Sequence, residues 1–218
     1  ATNQPIPYDE LKGLQCIGGV DYARTTDFAS CGLLFKYKGK RYWIEHTFVC
    51  HLALNIESRP IKFPVQEMAD RGLITIIKRD NISAQDIADW FLDQAKKYHI
   101  KNIYCDDYRK SLLESEFQKV GLPLESVRSG PITHAKVAPL IEQIFAEETL
   151  VFGDNPTMRW YTNNVYQDMD KKGNITYYKI EPKTRKTDGF FALIHALSKD
   201  HELQETQTEV WSLDVYTY

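Results

Sequence analysis

The sequence predicts a mixed-sheet α/β domain, on three observations. Three runs of strand-forming residues follow one another between residues 14 and 49. From residue 64 onward helical and strand patterns alternate, as they do where helices cover a partly parallel sheet. A chain of 218 residues, 43% apolar and 12% aromatic, is long enough to bury one sizeable core, and it carries no internal repeat.

Residues 1–13 contain Pro5 and Pro7 and read as a linker, with the domain expected over residues 14–218; a first residue other than Met points to a processed or truncated chain. Cys16-Ile17-Gly18-Gly19-Val20 is a strand that delivers Asp21. Residues 29–37 and 41–49 flank Lys38-Gly39-Lys40, the turn of a hairpin. A helix over 64–71 stops at Gly72, ahead of a strand over 73–77. Ser83 caps the next helix, on which Ile87, Trp90, Phe91 and Ala95 share a face. Asn102 to Cys105 is a short strand with Asp106 at its carboxyl end. There follow a helix over 110–120, a strand over 124–127, a helix over 135–147, a strand over 150–152 and a helix over 156–164. An extra hairpin is expected over 165–180, turning at Lys171-Lys172-Gly173-Asn174, and a final helix over 188–198.

Charge is nearly balanced: 27 basic against 30 acidic residues leave a net of −3, so a polyanion has to be held by a local patch. Apolar stretches run only a few residues before a charge interrupts them, which excludes a spanning helix, and the start lacks an export-signal pattern. The chain is expected to be soluble and not secreted. Cys16, Cys31, Cys50 and Cys105 are too scattered for a zinc ribbon or a disulfide framework and read as free thiols of a reducing cytosol. The six histidines show neither H-E-x-x-H nor H-x-H spacing, and all of them, His195 included, read as core or surface residues.

Three carboxylates stand where chemistry is done. Asp21 ends an apolar strand after two glycines, and a buried acid there needs a counter-charge. Asp106 lies at the carboxyl end of a strand, where ligands bind in open α/β sheets, and its neighbour Asp107 alternates to the other side. Asp188 opens an apolar helix whose dipole favours a negative charge, with Thr184 or Thr187 as cap, and shares a face with Phe191, Ala192 and His195. Each acid also has an ordinary structural role open to it, as strand end, turn residue or cap. Gathered together, the three repel one another unless a cation neutralises them, and hard Mg²⁺ or Mn²⁺ is the match for oxygen ligands. Such a cluster suits two-metal phosphodiester cleavage.

Several segments together resemble the C-terminal nuclease domain of tailed-bacteriophage large terminase subunits. Gly19-Val20-Asp21-Tyr22-Ala23-Arg24-Thr25-Thr26-Asp27 is similar to the family's first acidic motif, with a second Asp ahead of the next strand. Ile103-Tyr104-Cys105-Asp106-Asp107-Tyr108 is similar to the second, normally Tyr-Asp-Pro-Trp; Cys105, Asp107 and Tyr108 depart from it, so Asp107 stays as the alternative to Asp106. Lys186-Thr187-Asp188-Gly189 resembles the third, and Gly153-Asp154-Asn155-Pro156 the Gly-Asn-Pro segment before it.

The resemblance implies an RNase H-like fold and an Mg²⁺- or Mn²⁺-dependent endodeoxyribonuclease that cuts concatemeric viral double-stranded DNA during packaging. Asp21, Asp106 and Asp188 would hold two divalent cations. No G-x-x-x-x-G-K-(S/T) segment is present, so the chain is expected to be the nuclease half, without the ATPase domain. Implied partners are that ATPase, the small terminase subunit and the portal, with no membrane, in the host cytoplasm during virion assembly. Lys179, Lys183, Arg185 and Lys186 form a basic run suited to the DNA backbone, and a solvated loop is its ordinary reading. In relatives a hairpin lies beside the cleft, so the 165–180 hairpin is expected to gate DNA access. Thr25-Thr26-Asp27 suits a turn better than a metal-facing acid. The competing functions are a Holliday junction resolvase of the same fold and a DNA-gripping module without catalysis.

Overall fold

The computed structural model describes residues 2–128 and 130–205; the expected end of the domain, from 206 to 218, lies outside the described residues. After a one-turn helix α1 (Tyr8–Leu11) come the strands β1 (Gln15–Asp21), β2 (Ala29–Tyr37) and β3 (Lys40–Cys50), an antiparallel meander. Short helices α2 (His51–Leu54) and α3 (Val65–Asp70) lead to β4 (Ile74–Ile77). Then α4 (Ala84–Ala95), β5 (His99–Asp106), α5 (Asp107–Lys119), β6 (Leu124–Val127), α6 (Pro131–Ala146) and β7 (Leu150–Val151) alternate. Helix α7 (Pro156–Asn163), the hairpin β8 (Val165–Met169) and β9 (Ile175–Lys179), and helix α8 (Asp188–Leu197) complete the order.

The central sheet runs β4-β3-β2-β1-β5-β6, with β7 also on β3. β5 joins β1 in parallel and β6 joins β5 in parallel, so the meander becomes one half of a mixed sheet, as expected. The hairpin β8-β9 is a separate two-stranded sheet.

Residues 2–13 are not a linker. Leu11 is fully buried, the Thr2 carbonyl accepts from the Phe152 amide and the Gly13 amide donates to the Lys97 carbonyl, so this segment packs on the domain. Helices α5 and α6 begin earlier than the apolar periodicity indicates. Asp106 caps α5 by accepting from the Tyr108 amide, and Pro131 starts α6 in the first turn, where its missing N–H costs nothing.

Successive residues of β1 face opposite layers. A Cβ on Gly18 would lie 2.7 Å from the Phe91 ring of α4, whereas a Cβ on Gly19 would overlap the Ala192 carbonyl oxygen of α8. The register pairs Gly19 with Gly32, and Gly32 with Glu45. Directly opposed residues share a face; Gly19 makes the trough in which α8 lies, and the space over Gly32 is filled by the Trp43 indole of β3. Phe91 packs near Phe117 of α5, ring centres 5.8 Å apart, which puts α4 and α5 together on the other face. Among the described residues no helix is long and apolar enough to cross a membrane.

Gly19→Ala forces α8 away from β1. Overpacking of this kind costs about 1–3 kcal/mol or more, and urea denaturation of the variant is expected to show a loss of that size.

Candidate active site

Two strand ends and one helix start bring three carboxylates to a single cavity of about 510 Å³. Asp21 is the last residue of β1 and faces the α8 layer, two residues on from Gly19. In the parallel register Gly19 stands beside Tyr104, so Asp106, two residues further along β5, comes to the same face as Asp21. Asp107 is already helical and exposed, and it does not line the cavity. Asp188, only 2% exposed, is the first residue of α8.

No threonine caps α8. Thr184 donates to Glu181, and the buried Thr187 hydroxyl has no hydrogen-bond partner. Packing places this helix start instead. A Cβ on Gly189 would overlap the Tyr161 ring of α7, so Gly189 lets the two helices meet just behind Asp188. The Tyr161 hydroxyl in turn shares a 2.8 Å hydrogen bond with Thr47 of β3.

That contact belongs to a buried polar set that accounts for the Gly-Asn-Pro segment. The Asn155 side chain caps α7 by accepting from the Met158 amide at 2.9 Å and donates to Glu45 Oε2 at 3.0 Å. Glu45 Oε1 accepts from Ser30 at 2.8 Å and from Thr47 at 2.5 Å. One asparagine thus fixes α7 to the sheet, and α7 fixes the start of α8. Burial pushes the Glu45 carboxyl up to about 7, against these three donors.

Further side chains converge on the same cavity: Asp27, Lys179, Arg24, Arg109, His134 and His195. Asp27 does sit in a bend, but its carboxylate is held by two lysines, Lys179 at 3.0 Å and Lys186 at 2.7 Å. Burial alone would raise its pKa; Lys179 and Lys186 outweigh that and keep it below the usual carboxylate range. Burial raises Asp21, which His195 and Lys179 partly offset. Asp188 is pushed well above the usual range by burial and then by Asp27. His195 Nδ1 lies 2.7 Å from the Val20 carbonyl, which can only accept, so that nitrogen carries the proton. His134 accepts from the Tyr177 amide at 3.3 Å and stacks on Phe191, and burial lowers it to about 4.

The basic run divides. Lys186 is 2% exposed and paired with Asp27, so as it stands it reaches no surface backbone, contrary to expectation. Lys179 points into the cavity, Arg185 is half-buried beside Glu181 at 3.5 Å, and Lys183 alone is fully solvent-facing. Arg24 and Arg109, exposed at the cavity rim, had gone unread. Their one signal was proximity to Asp21 and Asp106 in sequence. His195 had a signal, its place on the helical face of Asp188, whereas His134 had none in local spacing.

The donor set fits hard divalent cations. Asp188 Oδ2 is buried without a hydrogen-bond partner, an acceptor left open at the cavity. Among the described residues no three His, Cys, Asp or Glu side chains already stand as a closed ligand group, so ion binding requires these carboxylates to turn toward one another. The four cysteines are free and buried, away from this chemistry.

The family model described as terminase large subunit, endonuclease domain, matches residues 2–203. The chain is similar in structure to the HK97 bacteriophage large terminase, at 14% identity and a TM-score of 0.79, over 91% of this chain and 41% of that one. It thus spans well under half of the HK97 protein. The large terminase nuclease from thermophilic phage G20c with bound magnesium matches at 10% identity and a TM-score of 0.56, covering 88% of this chain and 82% of that one. The g2p large terminase nuclease domain from bacteriophage SPP1 with bound Mn matches at 13% identity and a TM-score of 0.55, over 91% and 92% of the two chains. These likenesses establish the fold, the RNase H-like mixed sheet of terminase nucleases. A search of curated proteins returned no match.

Glu45 offers a check on the scaffold beneath the site. Its native carboxyl keeps a proton that the unfolded chain releases near its ordinary pKa of 4.5, so its contribution to stability falls as pH rises from there to about 7. In EDTA, Glu45→Gln is expected to flatten the stability difference between pH 5 and pH 7.5 by about 2 kcal/mol, read by urea unfolding at both pH values; an unchanged difference would contradict the assignment.

Proposed function

The chain belongs to the terminase large subunit endonuclease-domain family, and we propose that it cuts double-stranded viral DNA during genome packaging, with Asp21, Asp106 and Asp188 holding two divalent cations, Mg²⁺ or Mn²⁺. The observation that carries this reading is the convergence of these three acids, from β1, β5 and α8, on one cavity. The magnesium and Mn bound in the G20c and SPP1 nuclease structures support it.

When bound, such ions would activate a water for in-line attack and stabilise the leaving 3′ oxygen. The chain's own residues supply the rest. The three carboxylates offer oxygen ligands from rigid elements, which fixes where the ions sit. Arg24 and Arg109 at the rim, together with the exposed Lys183 of the segment before α8, would hold the phosphodiester backbone without reading bases, which suits sequence-tolerant cutting. Asp27 keeps Lys179 and Lys186 in place beside the acids. Concatemer cleavage, the ATPase, small-subunit and portal partners, and action in the host cytoplasm during virion assembly belong to the same proposal.

The purified chain is expected to nick and linearise plasmid with Mn²⁺ or Mg²⁺. Asp21→Asn, Asp106→Asn and Asp188→Asn should each reduce the rate by on the order of 10³-fold or more, the scale of several kcal/mol of lost transition-state stabilisation. Undiminished cutting by all three would sink the assignment. Preference for a four-way junction over linear duplex would favour a resolvase, and DNA binding without Mn²⁺ binding would favour a gripping module.

A further inference from the structure

Asp21, Asp27, Asp106 and Asp188 line the cavity beside Arg24, Arg109 and Lys179, and of these acids Asp27 pairs with two lysines, Lys179 and Lys186. These two lysines are held very differently. Lys186 lies in the segment that leads directly into α8, its side chain is 3% exposed, and its ammonium also donates to the Thr26 carbonyl. It is part of the scaffold. Lys179 is the last residue of β9, on a hairpin that forms no hydrogen-bonded ladder with the central sheet. A two-stranded hairpin is marginal by itself and depends on what it packs against.

Along β9 the side chains alternate. Ile175 and Tyr177 are buried and Lys179 follows them inward, while Tyr178 faces out and stacks on Tyr166 of β8, ring centres 5.5 Å apart. Contacts to the domain come from Tyr177, whose amide donates to His134 of α6 and whose ring packs edge-on against Phe190, and from Lys179. The Lys179 ammonium, 3.0 Å from Asp27, carries a positive charge into the space that the three catalytic candidates share.

Resting on the metal reading above, we propose that Lys179 is a tethered counter-cation that competes with the divalent ions for this carboxylate cluster, so that ion loading turns its side chain out and loosens the β8-β9 hairpin, and loss of the ions draws it in again. Two cationic species cannot both sit among the same acids without repelling one another, at an interaction cost that grows in a partly dry cavity. Divalent ions carry the larger charge and take the oxygen ligands; Lys179 is the one that leaves, because its long side chain is a quarter exposed and can swing outward, whereas Lys186 is enclosed. Lys179 is thus a positioning residue of the metal-free state and not a ligand of the DNA backbone.

The test measures Mn²⁺ binding by calorimetry on the wild-type chain and on Lys179→Met, alongside hydrogen–deuterium exchange of residues 165–179 with and without Mn²⁺. The expected result is tighter Mn²⁺ binding by Lys179→Met, on the order of tenfold, and faster hairpin exchange in the wild type on adding Mn²⁺. In Lys179→Met the hairpin should already exchange fast and stay so. Circular dichroism checks folding of the variant; should it not fold, the wild-type exchange measurement decides alone. Mn²⁺ binding that is equal or weaker in the variant, or hairpin exchange that Mn²⁺ leaves unchanged or slows, overturns the competition while leaving the metal site standing. Absence of Mn²⁺ binding in both proteins removes the metal reading, and the competition with it.

Discussion

Everything in the site depends on how closely the backbone of α8 approaches β1. At Gly19 the Ala192 carbonyl of the helix occupies the space that any side chain would fill, and at the paired Gly32 the Trp43 indole fills it. An apolar helix seated this deep buries Ala192, Leu193, Ala196 and Leu197 against the sheet, which is where much of its stabilisation arises. The same seating brings the first residue of the helix, Asp188, to the end of the strand that carries Asp21. A methyl group at one position would move a carboxylate at another.

Burial of these acids runs against stability. Asp188 is held dry with an oxygen lacking any hydrogen bond, and both it and Asp21 are pushed toward the protonated form by loss of water. Such a cluster persists because the surrounding packing over-determines it. Asn155, Glu45, Ser30, Thr47 and Tyr161 tie α7 to the sheet, and α7 supports α8 from behind. Asp27, with its two lysines, supplies positive charge that softens the repulsion. The site is therefore a place where local stability is given up to hold carboxylates dry and close together, as the proposed cation site requires.

Much of the architecture was legible beforehand because it is written locally. Period-two runs marked the three meander strands, Ser83 marked the start of α4 with a complete capping box, and Lys171-Lys172-Gly173-Asn174 marked the extra hairpin. Where the reading failed, distant contacts had decided. Residues 2–13 look like a linker only until Leu11 is seen in the core and the Thr2 carbonyl on Phe152. Lys186 looks like a surface cation in a basic run, yet Asp27, far away in sequence, has drawn it inside.

By itself the sequence determined the element order, the mixed α/β class and the three acids at the ends of apolar elements, since periodicity, caps and short motifs are properties of neighbouring residues. Only the tertiary structure shows that Asp106, and not Asp107, lines the cavity, because that depends on the parallel register of β5 against β1. It also decided that Asp27, Lys179, His134, His195, Arg24 and Arg109 meet at the same cavity. Strand register and the docking of a helix into a glycine trough are set by pairings between segments far apart in the chain, and no local spacing encodes them.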